Sequence, residues 1–471
     1  MVTMGRVLWN VCRAEQRAAL GPRAYMVLLP LLFGATSCSG TDRMVVSIVA
    51  DSIATELLSG PPPVAGLAIA VSKGDELLLD RAYGLSDAEA GEPLDRSRPQ
   101  RIASLTKQFT AAAVLKLVEE AAIQLDATIQ EYLPGFETQD HTVTIRNLLS
   151  HTSGLPNYAP LFARTGKAPA SRAAVLDTLQ RHPFDFPPGE SYRYSNSNYY
   201  LLGVIIEAVT GDSYANHLEA SLFSPLGLND TGYCRPGGEE LLVGYRATAE
   251  GLSAVVLQDT TDYLGGSGGL CSTVADLVRW QRALATGRVI APDTYAMMTT
   301  PTVIATGDTV PYGFGVDLET LENHDVVGHS GALAGFNGRI GYYPDADLSV
   351  AVLVNTNTPK AAAVRDAVAR AVLGMPRIVP TDRSLSAEER MPYVGTYDLG
   401  PVQVRVFDAG ERLVLQPVGQ APARLLFQGE DAFLADVGDG VRVEFDVEGG
   451  QAIELTLFQG SQPMVGARVE G

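Results

Sequence analysis

Residues Arg101 to Glu120 constrain the fold more than any other stretch. The run Arg101-Ile-Ala-Ser104-Leu-Thr-Lys107-Gln-Phe-Thr110 leads into Ala111 to Val118, which is rich in Ala, Leu and Val and holds neither Gly nor Pro. Such a segment forms a helix from about Ser104 to Glu120 that faces a core. Ser104 opens it and Lys107 lies one turn on, so the i, i+3 spacing brings the amine to the hydroxyl. A serine hydroxyl is a weak nucleophile until a neighbour takes its proton, and a lysine does so only when burial or nearby charge lowers its pKa. The apolar helix supplies the burial. Its N-terminus supplies unpaired N–H groups and a positive dipole end, which suit an anion developing beside the serine. An isolated Ser-x-x-Lys is more often a capping serine followed by a surface lysine. Here the chain carries only Lys73, Lys107, Lys116, Lys167 and Lys360 among 35 basic residues. Arginine does the routine surface work, so a lysine beside an apolar helix stands out.

Two further stretches carry chemistry. Phe186-Pro-Pro-Gly-Glu190-Ser-Tyr-Arg-Tyr194-Ser195-Asn196 precedes the helical run Leu201 to Val209, so a loop delivers Tyr194 and Asn196 just ahead of a helix. A tyrosine acts as a base only if a positive charge depresses its pKa from about 10, and Lys107 is the candidate charge. Val326-Val-Gly328-His329-Ser330-Gly331-Ala332, then Ile340 to Tyr343, the turn Pro344 to Asp347, and Leu348 to Val354 read as hairpin strands. Gly331 would let a ligand approach the strand backbone. Two rivals are weaker. His151 follows a short helix within Val143 to Pro156 and reads as packing at its end. Gly265-Gly-Ser267-Gly-Gly269 fits a Gly-x-Ser-x-Gly elbow, but no apolar strand precedes Ser267, and the segment from Ser272 begins a capped helix of its own. It reads as a tight loop.

With 471 residues, 46% hydrophobic and 19% charged, the chain is globular and long enough for two or three packed units. A net charge of −19 without a basic stripe excludes nucleic acid as a partner. No Cys/His spacing suits a metal, and no cofactor motif is present. Arg6, Arg13, Arg17 and Arg23 precede the apolar run Tyr25 to Phe33, which ends in Gly34-Ala-Thr-Ser-Cys38. Residues 1–43 therefore read as an export leader, with an apolar run too short to span a bilayer. Two fates stay open: attachment to a membrane through a lipidated Cys38, and simple secretion after cleavage. Export would leave Cys234 and Cys271 in an oxidising compartment, either bridged or as free thiols.

Residues 44–59 suit a first helix, and Val64 to Ser72 with Glu76 to Tyr83 suit a hairpin turning at Lys73-Gly74-Asp75. Ala361 to Leu373 suits a closing helix. Taken together, the Ser-x-x-Lys, Tyr-x-Asn and His-Ser-Gly triplets resemble those of the serine β-lactamase and penicillin-binding-protein family, over roughly residues 50–375. The second triplet is similar to the class C branch, with its DD-peptidase, D-aminopeptidase and esterase relatives. The resemblance implies an α/β fold, a β-lactamase-like sandwich of antiparallel sheet and helices within 44–375. It implies Ser104 as the acylated nucleophile, with Lys107 and Tyr194 sharing proton transfer. Asn196 would bind the substrate amide, His329, Ser330, Gly331 and Ala332 would line the sheet edge, and the N–H groups of Ser104 and Ala332 would form the oxyanion hole. The substrate would be a small ester, amide or peptide.

One departure stands at His329, where class C β-lactamases carry lysine. An unperturbed histidine is mostly neutral at pH 7 and charges toward pH 5.5, so the anchor for a β-lactam carboxylate is weakened. Arg339 and Asn357 are candidates to compensate. An esterase or D-amino-acid peptidase is thus favoured over a β-lactamase or DD-carboxypeptidase, and a penicillin-binding sensor with little turnover remains the alternative outside catalysis. Beyond a polar linker at 376–390, residues 391–471 hold seven short alternating runs, from Tyr393–Leu399 to Ile453–Phe458, separated by Gly/Asp turns. They suggest a small all-β barrel-like domain without a catalytic constellation.

Overall fold

The computed structural model describes residues 39–60, 63–163, 169, 171–234, 242–248, 251–255, 261–358, 360–376, 382–400, 402–418, 422–436, 441–458 and 463–469. Cys38 and the leader before it lie outside the described residues.

A sheet organises the first part of the chain. Its strands are β1 (Gly66–Lys73), β2 (Glu76–Asp87), β3 (Asp317–Leu321), β4 (His324–Leu333), β5 (Phe336–Tyr343) and β6 (Leu348–Val354). Among the described residues the order is β3-β4-β5-β6-β1-β2, with the short strand Glu92–Pro93 on the outer edge of β2, and every pairing is antiparallel. Both chain segments flanking the helical region therefore build one sheet, with β1 held between β6 and β2.

The two-residue period of a strand explains why β1 and β6 are apolar throughout. Leu67, Ile69 and Val71 join Leu348, Val350, Val352 and Val354 in one core, covered by α1 (Ser39–Ser59) through Val46, Ala50 and Ile53. The helix Lys360–Val372 closes the same face through Ala361, Val364 and Val368. Ala68, Ala70, Ala351 and Leu353 point the other way, into the core of the helical region.

That second core surrounds α2 (Thr106–Glu119), in which every residue from Thr106 to Leu115 is buried. A helix apolar nearly all round belongs inside a protein, and here Phe109 stacks on Trp280 at 4.1 Å and meets the edge of Phe223 at 5.7 Å. The 3-10 turn Ala103–Leu105 runs straight into α2, so Ser104 sits at the head of the central helix, as its sequence suggests. Gln100 and Arg101 pair with Ser272 and Cys271, and Ile102 N–H donates to Leu270 O at 3.1 Å, which fixes the chain entering that turn. Cys234 and Cys271 are bridged, settling the choice between a disulfide and free thiols.

The C-terminal strands form a closed barrel of eight among the described residues: Gly395–Asp398, Gln403–Asp408, Leu413–Pro417, Ala423–Gly429, Ala432–Ala435, Arg442–Glu448, Gln451–Phe458 and Pro463–Val469. The last, which the sequence pattern does not reveal, closes the ring by pairing Arg468 with Tyr397. Tyr393, Tyr397, Phe433 and Phe445 fill the interior. The linker also differs from expectation, since Ser386 caps a short helix, Ala387–Arg390, by accepting from Glu389 N–H.

Candidate active site

Ser104, Lys107, Tyr194 and Asn196 come from two elements and meet in one place. Ser104 and Lys107 are set by the turn entering α2. Tyr194 and Asn196 are set by the loop entering α3 (Asn196–Thr210), whose first residue is Asn196 itself. Lys107 is fully buried, and its Nζ lies 3.1 Å from Ser104 Oγ, 2.8 Å from Asn196 Oδ1 and 2.8 Å from the carbonyl oxygen of Ser267. It also lies 4.8 Å from the centre of the Tyr194 ring.

This shell can hold a neutral amine. A neutral amine has two N–H donors and one lone pair; the two carbonyl oxygens can only accept, so the lone pair is left for the Ser104 hydroxyl. Burial pushes Lys107 well below the ordinary lysine value, and the more distant Asp317 carboxylate only partly opposes it. Burial likewise pushes the Tyr194 phenol well above 10, against the opposing effect of its hydrogen bond with Ser104. Both shifts favour the uncharged forms, an amine beside a phenol, over the expected lysine cation depressing a tyrosine base. This arrangement can take a proton from Ser104 through the amine and pass one on through the phenol.

The third stretch lies along β4. Its pairing with β3 ends at Gly328, so His329 to Leu333 are held on one side only, by β5. Ser330 and Ala332 are exposed, whereas His329 and Gly331 are buried against the helical region. A Cβ on Gly331 would lie 2.3 Å from the Ile102 carbonyl oxygen, so the glycine admits the turn carrying Ser104 and not a ligand, correcting the earlier expectation.

His329 is corrected as well. The residue is 1% exposed, with Nδ1 2.6 Å from Ser330 O and Nε2 3.1 Å from the Tyr312 hydroxyl. Burial lowers its pKa below the ordinary histidine value, which works against a cation at this position. Arg339 does not compensate, because it is buried against Asp317 and Glu319. Asn357 is exposed on a two-residue strand beside Arg246.

Ser267 contributes its backbone to the site. Its hydroxyl donates to Leu264 O at 2.6 Å and meets Tyr158 OH at 3.0 Å, while its carbonyl receives Lys107. The segment around it is a kinked helical stretch, Thr261–Gly268, broken at Gly265, and not the simple tight loop expected. Gly266 is needed there, since a Cβ would come within 2.6 Å of Tyr199 O. His151 does pack at a helix end, following Ile145–Leu149, but its ring also enters the site, packing at a tilt against Tyr194 with ring centres 4.4 Å apart. Tyr312 was missed altogether. It sits between Pro311 and Gly313 in a stretch with no periodic pattern.

Residues 57–374 match the family model Beta-lactamase. The chain belongs to the beta-lactamase family. It is a serine hydrolase of that family, with the mixed α/β architecture expected from its three motifs. Penicillin-binding protein 4* of Bacillus subtilis (strain 168) is 30% identical over 418 residues, covering 83% of this chain and 92% of that protein. A D-aminopeptidase of Gluconobacter oxydans (strain 621H) is 30% identical over 351 residues, covering 71% of this chain and 63% of the enzyme, just under two thirds of its length. Among solved structures, the octameric penicillin-binding protein homologue from Pyrococcus abyssi shares the fold with a TM-score of 0.65 at 24% identity, covering 88% of this chain and 99% of its own.

Proposed function

We propose that Ser104 is acylated by small amides and esters, with D-amino-acid amides or short peptides ending in such residues as the preferred class. The observation that carries this reading is the Lys107 shell: two carbonyl acceptors, one serine hydroxyl and, among the described residues, no carboxylate bonded to the amine. The D-aminopeptidase relative supports the substrate class.

Lys107 takes the Ser104 proton as Oγ bonds to the substrate carbonyl carbon. The oxyanion faces the N–H groups of Ser104 and Ala332, and Asn196 offers Nδ2 to a substrate amide while its Oδ1 holds Lys107. Collapse breaks the C–N or C–O bond, and the proton passes through Tyr194 to the leaving amine or alcohol. Water then attacks the acyl carbon, gives its proton back through the same pair, and frees Ser104. Ser330 and Ala332 present the open edge of β4 to the substrate, with His329 supporting that strand from below.

We also infer export, supported by the arginine-flanked apolar run before Cys38 and by the Cys234–Cys271 bridge, which needs an oxidising compartment to persist. A lipid on Cys38 would show as detergent-phase partitioning lost in Cys38→Ala.

Turnover of D-alanine p-nitroanilide, its L enantiomer, a p-nitrophenyl ester and a chromogenic cephalosporin tests the substrate reading. The D-amide and the ester should lead. A cephalosporin turned over faster than both, or acylation without turnover of any, overturns it in favour of a β-lactamase or a sensor.

A further inference from the structure

Beneath Tyr194 lies a row of three buried side chains whose hydrogens are dictated by the backbone at either end. His151 Nδ1 faces Ser195 N–H at 3.3 Å and Asn198 Nδ2 at 3.0 Å. A backbone N–H can only donate, so Nδ1 is an acceptor and the ring proton sits on Nε2. That proton points to the Tyr312 hydroxyl, 3.2 Å away. At the other end, His329 Nδ1 faces Ser330 O at 2.6 Å, and a carbonyl can only accept, so this ring is protonated on Nδ1. Its Nε2 is left to accept, 3.1 Å from the same Tyr312 hydroxyl. Tyr312 thus accepts from one imidazole and donates to the other, and the two rings are opposite tautomers.

The row also joins the two stretches on which the site is built. His151 has a left-handed backbone (φ 58°), and its carbonyl accepts from Arg193 N–H at 3.0 Å. Its ring grips Ser195 and Asn198, so it holds both flanks of Tyr194 and Asn196. His329 is the buried head of the open edge of β4. Tyr312 is itself 1% exposed and is held through its own backbone, with its carbonyl accepting from Thr302 N–H at 3.0 Å and its N–H bonded to Val310 O at 2.7 Å.

We propose that Tyr312 is a positioning residue for acyl transfer: by bridging His151 and His329 as complementary neutral tautomers, it holds the loop bearing Tyr194 and Asn196 in register with the β4 edge and keeps that floor free of positive charge. A cation on His151 would set Nδ1–H against the Ser195 N–H, two donors face to face. Protonated His329 would force the Tyr312 hydroxyl to turn its proton away from Nε2 and so give up its role as donor to that ring. The titratable and charged groups facing the row are Lys107 from α2, Tyr192 and Tyr194 from the loop, Tyr199 from α3, and Asp317 of β3 with its partner Arg339 of β5. Burial lowers the pKa of both histidines, in keeping with neutral rings.

The proposal rests on the Ser104 reading for its kinetic part only, since the tautomers are read without substrate. Imidazole 15N spectra of histidine-labelled protein at pH 7, assigned with His151→Asn and His329→Asn, should show one ring protonated only at Nε2 and the other only at Nδ1. In Tyr312→Phe, His329 Nε2 loses its donor and protonates more readily. Phosphonylation of Ser104 and turnover of a small ester should slow about tenfold to a hundredfold, and the acid limb of the pH–rate profile should move to higher pH, a change that loss of packing alone would not produce. If the phenylalanine variant does not fold, difluorotyrosine at position 312 keeps the shape, acidifies the hydroxyl and should move the same limb. Two rings in the same tautomer, either ring charged at pH 7, or an unmoved rate and limb overturn the proposal. If the tautomers are as expected but no substrate is turned over, the failure lies with the hydrolase reading and not with the row.

Discussion

Lys107 Nζ and Ser104 Oγ stand 3.1 Å apart with the lysine fully enclosed, and among the described residues every group bonded to the amine is formally neutral. The base form of Lys107 is the form the site favours. Because its pKa lies well below 10.5, kcat/KM should rise with pH as Lys107 loses its proton and reach its plateau well before an ordinary lysine titrates. Lys107→Arg keeps a permanent cation and should lose about 10³-fold in kcat. A rising limb centred near 10.5, or an active arginine variant, would show that Lys107 is not the base.

Ser267→Ala separates the two serines that share Lys107. The Ser267 hydroxyl bonds Leu264 and Tyr158, and only its carbonyl reaches the amine. The variant should keep activity within about threefold and lose about 1 kcal/mol of stability from the missing hydrogen bond. Ser104→Ala should abolish covalent labelling by a serine-directed phosphonate. Intact-mass spectra of both variants decide the matter, and an adduct surviving in Ser104→Ala would reverse the assignment.

The difference between these serines also marks what the sequence can and cannot reveal. Ser104 and Lys107 are legible because one helical turn brings i and i+3 together, and Tyr194 with Asn196 because a Pro/Gly loop runs into an apolar helix. The Ser267 carbonyl leaves no trace in residue identity, since any residue supplies one. Tyr312 is fixed by contacts with residues 161 and 17 positions away, and nothing local marks it. The eighth barrel strand escapes for a different reason: Pro463 and Gly466 are poor strand formers, and closure of the ring overrides them.

His329 should gain its proton at lower pH than an ordinary histidine. A histidine whose folded pKa lies below 6.5 stays neutral as pH falls through 6.5, and the unfolded chain binds that proton first. Its burial therefore costs stability as pH falls below 6.5 and supplies no cation for a substrate carboxylate. The ratio of kcat/KM for a cephalosporin to that for a neutral p-nitrophenyl ester should be the same at pH 7.5 and 6.5. A ratio that climbs toward pH 6.5 would mean that a group near the cleft does gain charge there.

The Cys234–Cys271 bridge should matter to both stability and rate. It closes a loop with a sequence separation of 37, for which chain entropy alone suggests about 4 kcal/mol. Cys271 lies in the strand Leu270–Ser272, where Leu270 O receives Ile102 N–H and Leu270 N–H donates to Thr106 Oγ1, on either side of Ser104. The double variant Cys234→Ser/Cys271→Ser should melt lower and acylate more slowly, measured by calorimetry and phosphonylation rate. Unchanged acylation would show that the strand needs no bridge to hold the turn.

Gly331 tests whether β4 and the turn carrying Ser104 are fitted to one another. An added methyl would meet Ile102 O at 2.3 Å and the Leu105 side chain at 3.2 Å. The first neighbour is backbone and cannot swing aside, so Gly331→Ala must move the strand away from the turn or move the turn itself. Either movement widens the gap between Ser104 and Ala332, the two residues whose N–H groups are proposed to face the oxyanion. A misplacement of about 1 Å is enough for about a hundredfold loss in rate, while overpacking costs about 1 to 3 kcal/mol in stability. The neighbouring Ala332→Gly removes an exposed methyl and should change the rate far less. The informative readout is the transition-state-like phosphonylation of Ser104 compared with ground-state affinity for a D-amino-acid amide: a displaced oxyanion hole should slow the first much more than it weakens the second. Equal losses in both would locate the damage in substrate binding, and no loss in either would mean that strand and turn are not coupled through Gly331.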